Sequence, residues 1–274
     1  FVLGRLRDVD AGPLNTVTVY VLAPALVFHS LATTDLAGET LLCIGLGVLV
    51  FTAVMTLLAE GLGRSLGETE PLLGAFVLVS VFANAGNYGI PVSEFAFGSV
   101  GRSTAVVYLV AKSVAMYTLG VYISARGSGS DWQEGVRAVF AIPLIYAVAA
   151  AFATRWLGVL PPADSAAMEA VKLVGDSAIP VMLLILGIEL AGTNYGTAVV
   201  RVSPAVALKM LVAPVVAVVV VLVWSVVDLN RTVARVFVLE SAMPAAVTPL
   251  ILTGEFAGEA VDDLDPVAYA STTI

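Results

Sequence analysis

The most informative feature of this 274-residue sequence is how little charge it carries. Charged residues make up 12% of the chain and hydrophobic residues 59%, whereas soluble domains contain roughly 25% charged residues. There is one cysteine, Cys43, and one histidine, His29, so an internal disulfide is excluded and little is left for metal binding or nucleophilic catalysis. The sequence contains no Walker loop, Gly-x-Gly-x-x-Gly, Gly-x-Ser-x-Gly or His-Glu-x-x-His pattern. We therefore expect neither an enzyme nor a bound cofactor.

Basic residues are scarce as well. Thirteen lysines and arginines stand against 21 aspartates and glutamates, for a net charge of -8, which argues against binding to nucleic acid. An acid-rich, lysine-poor composition suits a very salty solvent, where screening reduces self-repulsion. A halophilic source is one interpretation of this balance, and ordinary variation in short loops is the other.

Apolar runs of about 20 residues recur along the chain, and each can cross about 30 Å of hydrocarbon. They predict an all-α polytopic protein of the cell (plasma) membrane, in contact with the lipid bilayer. The two ends, Phe1–Leu6 and Val267–Ile274, are interpreted as clipped first and last spans. The eight whole spans between them are predicted near residues 14–31, 36–62, 71–98, 103–124, 136–157, 167–190, 202–227 and 233–256.

The two halves of the chain resemble each other in the position of their prolines. Pro24 and Pro91 are 67 residues apart, and their counterparts Pro180 and Pro249 are 69 apart. Five spans per repeat is an odd number, so the second repeat must enter the membrane inverted, and matched interrupted helices in inverted halves point to a transporter's midplane site. The predicted organisation is a five-helix repeat at 1–125, a polar linker at 126–131 and an inverted five-helix repeat at 132–274.

The interruption of predicted span four contains the clearest site signal. Pro91 lacks an N–H and clashes with the carbonyl four residues earlier, and Gly89 lets the chain leave helical geometry. A half-helix restarting near Ile90 would present free N–H groups and a partial positive charge to an anion. Asn84 and Asn87 add neutral donors and acceptors that can orient a ligand. A packing kink satisfied by neighbouring helices is the structural alternative.

Predicted span nine repeats this device. Pro244 and Pro249 interrupt an apolar run, and Thr248 and Ser241 place hydroxyl groups beside the interruption. Two half-helix ends meeting at the midplane would suit a carboxylate substrate.

Ionisable residues inside the spans are the remaining candidates. Lys112 lies near the centre of span five, where a charge costs about 2.5–3.5 kcal/mol, so it should balance a substrate's charge or form a fixed pair. Glu94 and Glu240 are its expected partners and the candidates for carrying a coupling proton. Na⁺ held by unwound carbonyls is the other option for coupling. Lys209, only some five residues inside span eight, is interpreted as a lysine that snorkels to the surface, with a functional role as the alternative.

Four segments together resemble the auxin efflux carrier family, which includes plant PIN-type carriers and many prokaryotic relatives. These segments are N-A-G-N-Y-G-I-P-V with F-G shortly after, A-P-A-L-V-F, K-M-L-V-A-P and E-S-A-M-P-A-A-V-T-P. The resemblance implies two inverted five-helix repeats, with helices four and nine crossing at Pro91 and Pro249 and with Asn84 and Asn87 lining the site. It also implies a scaffold made mainly of spans one, two, six and seven, a mobile transport domain, a homodimer, and a fold similar to that of sodium–bile-acid symporters. A short linker stands where plant carriers have a long hydrophilic loop.

These features predict a secondary transporter of a small organic anion that works by alternating access. Prokaryotic relatives of the family are linked to small organic acids such as malate or malonate, and auxin itself is not established by the resemblance. The alternatives are a membrane receptor that binds a ligand in the same cleft without transporting it, and a channel.

Overall fold

The computed structural model describes residues 9–125, 140–141, 143–192, 199–224, 230–249, 252–253 and 269–270. Within these ranges the protein is mostly helical and contains no β-strand longer than a single bridge. The first half comprises α1 (Gly12–Ala32), α2 (Gly38–Ser65), α3 (Leu72–Val81) and a long helical run, Ala85–Ser124. The second half comprises α6 (Pro143–Leu157), α7 (Ala166–Asp176), α8 (Ala178–Gly192), α9 (Val199–Ala207, Leu208–Val212 and Ala213–Trp224) and α10 (Arg231–Ser241).

The run Ala85–Ser124 is two helices joined at Gly98. This residue has φ 64° and ψ -148°, a conformation that glycine adopts at no steric cost and other residues rarely reach. We call the two parts α4 (85–97) and α5 (99–124). The boundary lies where the sequence predicted the end of span four.

Three of the prolines that lie inside helices share one local arrangement. Pro24, Pro91 and Pro214 each follow, by two residues, a π-helical turn: Thr18–Leu22, Ala85–Gly89 and Leu208–Val212. Proline cannot donate to the carbonyl four residues back and its ring crowds that carbonyl, and a wider turn with one extra residue relieves the conflict. The expectation that the helix of span four is interrupted at Pro91 is therefore wrong. The chain is helical at Pro91, because the π-helical turn before it accommodates the proline.

The true interruption of span four lies between Val81, the last residue of α3, and Ala85. Phe82 is extended, with φ -90° and ψ 111°, and the chain stays non-helical up to Asn84, where φ is -78° and ψ 68°. In span nine, α10 ends at Ser241 and helical structure resumes at Thr248. Both predicted interruptions are therefore present.

Within the described ranges, most of the buried apolar residues form two clusters. One contains side chains of α2, α3, α9, α10 and the second half of α5, including Phe51, Phe76 and Phe237. The other is built mainly from α1, α6 and α8, including Leu26, Leu144 and Met182, with a few residues of α4, α5 and α10. The helices of the second cluster correspond to predicted spans two, six and seven.

Among the described residues, five helical stretches are long and apolar enough to cross a membrane: Gly12–Ala32, Gly38–Ser65, Ala85–Ser124, Ala166–Ile188 and Val200–Trp224. Large apolar side chains such as Leu57 and Leu211 are 73% and 70% exposed, as expected where a surface faces lipid. Ten spans and an inverted repeat stay predictions. All of predicted span one, all of the linker 126–131 and most of predicted span ten lie outside the described residues.

Candidate functional site

The two interrupted segments, residues 82–84 and 242–247, meet through their backbones, and we call this meeting point the crossover. Ala83 and Ala245 form an isolated antiparallel bridge. Its hydrogen bonds run from Asn84 N–H to the Pro244 carbonyl at 2.8 Å and from Ala246 N–H to the Phe82 carbonyl at 3.0 Å. Backbone groups freed by the interruption of one span are thus satisfied by the other, which is required wherever non-helical chain lies at membrane depth.

Asn84 caps the helix that restarts after the interruption. Its side-chain Oδ1 accepts a hydrogen bond from Asn87 N–H at 3.1 Å, and its carbonyl accepts one from Gly89 N–H at 3.0 Å. The half-helix therefore begins at Ala85, one turn earlier than the restart near Ile90 that the sequence predicted. Asparagine is among the best residues for this capping position.

A cavity of about 280 Å³ lies beside this crossover. One wall comes from α1, α6 and α8 and includes Asn15, Thr18 and Met182. The opposite wall comes from the crossover and α5. Of the predicted substrate-binding residues, this wall contains Asn84, Asn87, Lys112 and Thr248. The cavity thus lies between helices of the two apolar clusters.

The other predicted binding residues do not line the cavity. Ile90 and Pro91 lie one turn further along α4, and both are buried. Pro249 is buried at the helical restart after α10, where its carbonyl accepts a hydrogen bond from Thr253. Ser241 Oγ donates to the Phe237 carbonyl at 2.8 Å. Whether any predicted residue binds substrate stays a prediction.

Lys112 projects a positive charge towards the cavity. Its side chain lines the wall and the residue is 5% exposed. Among the residues that the structure describes, it forms no hydrogen bond or ion pair, and the carboxylate acting on it is that of Glu240. An ammonium group without a direct partner, in a largely apolar cavity, attracts an anion strongly because the surroundings screen its charge poorly.

Glu240 is fully buried next to the first turn of α4. Its Oε1 accepts a hydrogen bond from Ser93 Oγ at 2.6 Å, whereas Oε2 has no hydrogen-bond partner within the described part of the chain. The carboxylate packs against Gly89, where an added Cβ would lie 2.0 Å from Oε2. Gly89 therefore serves to admit this carboxylate and does not itself line the cavity.

Glu94 belongs to a different cluster, so the expected Glu94–Lys112 pair is wrong. Its carboxylate lies 3.7 Å from Arg102, and Arg102 also pairs with Asp176 at the end of α7. Lys172 bonds to the same Asp176 at 2.9 Å, as its spacing on one helical face predicts. This charge cluster lies near a second cavity lined by His29 and Arg102, and Glu94 Oε2 has no hydrogen-bond partner within the described part of the chain.

Sequence reasoning missed two contributors. Asn15 and Thr18 line the cavity from α1, and polar residues early in an apolar span were the available signal. Lys209 is only 1% exposed, so the expectation that it snorkels to the surface is wrong.

Comparison with known proteins supports a role in membrane transport. A family described as membrane transport protein matches residues 4–139 and 136–259, and the chain belongs to this family. It is 29% identical over 260 residues to an uncharacterized transporter of Methanothermobacter thermautotrophicus, covering 93% of this chain and 82% of that protein. It is 24% identical over 255 residues to an uncharacterized transporter of Methanocaldococcus jannaschii, with 92% and 82% covered. The protein is a multi-pass membrane transporter. The likeness to plant carriers and bile-acid symporters, and a halophilic source, stay predictions.

Proposed function

We propose that the protein is a secondary transporter of a small organic anion and that the cavity beside the crossover is its substrate site. The observation that carries this proposal is the Lys112 ammonium group, which lines the cavity without a direct partner among the described residues. A substrate carboxylate would complete the pairing. The cavity volume of about 280 Å³ is at the small end for ligand pockets, which run from about 300 to 1,000 Å³, and favours a compact acid.

Recognition combines charge with neutral hydrogen bonding. Gly86 and Asn87 line the cavity from the first turn of α4, the positive end of that helix, which favours an anion. Thr248 offers a hydroxyl from the other interrupted span. The Oδ1 of Asn84 is already used as a helix cap, but its amide N–H groups, like the side chain of Asn87, can still donate hydrogen bonds to a substrate carboxylate.

The position of the cavity supports alternating access. Its walls come from α1, α6 and α8 on one side and from the crossover and α5 on the other, and these helices belong mainly to different apolar clusters. Rigid-body movement of the crossover unit past α1, α6 and α8 would carry the substrate between two openings, and only the few residues of α4, α5 and α10 in the second cluster would change partners. We further propose a homodimer in the plasma membrane.

Glu240 is our candidate for a coupling proton. Its carboxylate is buried, retains one oxygen without a partner in the described chain, and acts electrostatically on Lys112. Protonation of Glu240 would therefore change the field at the substrate's anchoring charge. Glu94 is less suited, because Arg102 already balances its charge.

The test is counterflow of labelled mono- and dicarboxylates, malonate and malate among them, in proteoliposomes. Wild-type protein should exchange at least one acid, and Lys112→Met should reduce that exchange at least tenfold. Lys172→Met is the matched control, since Lys172 is 54% exposed in an i,i+4 pair and its loss should leave exchange unchanged. Binding of an acid without any exchange would instead identify a receptor. Full exchange by Lys112→Met would contradict the assigned site.

A further inference from the structure

Lys209 joins the ends of the two interrupted helices. The residue lies in the π-helical turn of α9 and is 1% exposed. Its ammonium group donates hydrogen bonds to the carbonyls of Val81 at 3.2 Å and Ser241 at 3.3 Å. Val81 is the last residue of α3 and Ser241 is the last residue of α10. One positive charge therefore sits between the C-termini of both half-helices that precede the crossover.

The two helix ends roughly offset the charge of Lys209, although the ammonium group of Lys112 is close enough to repel it. A helix C-terminus carries about half a negative charge, so two such ends together offset roughly one monovalent cation. Lys209 forms no ion pair with a carboxylate among the described residues, and the ring of Phe51, whose centroid lies 6.0 Å from Nζ, is a further favourable neighbour. The backbone thus neutralises a charge that would otherwise be very costly to bury.

This arrangement has the chemistry of a cation site. Half-helix C-termini and unwound carbonyls are the groups that hold coupling Na⁺ in transporters built from interrupted helices. Here the carbonyls of two helix ends instead accept hydrogen bonds from the ammonium group of Lys209, which is part of the chain itself. Lys112, in contrast, lies on the cavity wall, so the two buried lysines occupy different environments.

We propose that Lys209 takes the place of a bound monovalent cation at the crossover. It holds the α3 and α10 ends together throughout the transport cycle, and the carrier exchanges its substrate without Na⁺. Lys209 is thus a positioning residue that does not touch substrate. The inference deepens the proposed function and rests on it for the term carrier, but the charge balance can be tested without any transport measurement.

The test compares two substitutions that remove the same charge. Lys209→Ala leaves an empty space between the two carbonyls, whereas Lys209→Met fills it with an apolar chain of similar length. The purified variants and wild type are melted in detergent with chloride salts of choline, Na⁺, methylammonium or ethylammonium. We expect both variants to melt at least about 4 °C below wild type in choline, because two buried carbonyls lose their donor. Ethylammonium or Na⁺ should restore most of this loss in Lys209→Ala and none in Lys209→Met.

Three results would overturn the proposal. The first is a Lys209→Ala variant that melts like wild type in choline, and the second is one that is destabilised yet insensitive to every small cation. The third is wild-type exchange that stops when choline replaces Na⁺, a measurement that decides the question even if neither variant folds. Failure of wild type to exchange any acid, with cation rescue of Lys209→Ala intact, would refute the proposed substrate and leave the role of Lys209 standing.

Discussion

The carboxylate of Glu240 lies against the backbone of Gly89, so that a Cβ atom at position 89 would be 2.0 Å from Oε2 and 2.6 Å from Cδ. Through this contact the first turn of α4 packs closely against the end of α10. Because Glu240 is also held by Ser93, the carboxylate cannot turn aside without losing its hydrogen bond. A backbone position in one interrupted span thus fixes an ionisable group of the other.

The first prediction follows from this contact. Gly89→Ala should lower the free energy of unfolding by about 1–3 kcal/mol, the usual cost of overpacking a buried position, and should impair anion exchange. Thermal melting in detergent and counterflow measure the two effects. Gly45→Ala is the control, because an added Cβ there meets nothing within 4 Å.

A double variant identifies the cause. In the double variant Gly89→Ala/Glu240→Ala, the added methyl group no longer meets a carboxylate. The stability loss of the double variant should therefore be much smaller than the sum of the losses of the two single variants. Strict additivity would mean that the carboxylate is not what Gly89 accommodates.

The second prediction tests the crossover directly. Ala83 and Ala245 face each other between the two backbone hydrogen bonds, and in such a non-hydrogen-bonded pair the Cα atoms lie about 4.5 Å apart, within the range for a disulfide. In a Cys43→Ser background, Ala83→Cys with Ala245→Cys should crosslink under mild oxidation. With a protease site inserted at residues 126–131, the halves should remain joined on a non-reducing gel. Gly45→Cys with Ala245→Cys should not crosslink, and equal crosslinking of both pairs would contradict the register.

How much of this site could be read from the sequence differs residue by residue. Composition and spacing were sufficient to predict the helices and the two interruptions, because these depend on local preferences. Asn84 and Asn87 do line the cavity, and their role in binding stays a prediction. The exact interruption was misplaced, since Pro91 marks where a helix is disfavoured while the choice between a break and a widened turn depends on packing. Lys209 was misjudged for a related reason. Its partners are carbonyls 128 and 32 residues away, and backbone acceptors leave no pattern in a sequence.

The third prediction separates the two asparagines. Asn84→Ala removes a helix cap and should cost about 0.5–2 kcal/mol of stability, whereas Asn84→Asp keeps a capping oxygen and should melt closer to wild type. Asn87→Ala should leave the melting temperature within about 2 °C of wild type, because among the described residues its side chain forms no hydrogen bond. It should nevertheless reduce exchange, through a higher KM. An Asn87→Ala variant with wild-type KM would remove this residue from the site.

The fourth prediction concerns the charge cluster formed by Glu94, Arg102 and Asp176. Arg102 has a 15% exposed side chain and lies between Glu94 and Asp176. Arg102→Gln should leave the Glu94 carboxylate without its cation and Asp176 with Lys172 alone, and should cost about 1.5–3 kcal/mol. Arg64→Gln removes an i,i+4 pair in which the arginine side chain is 65% exposed, and such pairs are worth about 0.3–0.5 kcal/mol. The difference in melting temperature should persist at 1 M salt, since buried charges are screened much less than exposed ones. Equal losses for both variants would mean that the Arg102 cluster is no more than a surface ion pair.

The two glutamates, Glu94 and Glu240, are predicted to have different roles. Because Glu94 is paired with Arg102, Glu94→Gln should affect stability and spare exchange, whereas Glu240→Gln should impair exchange. The reverse outcome would move the coupling role to Glu94.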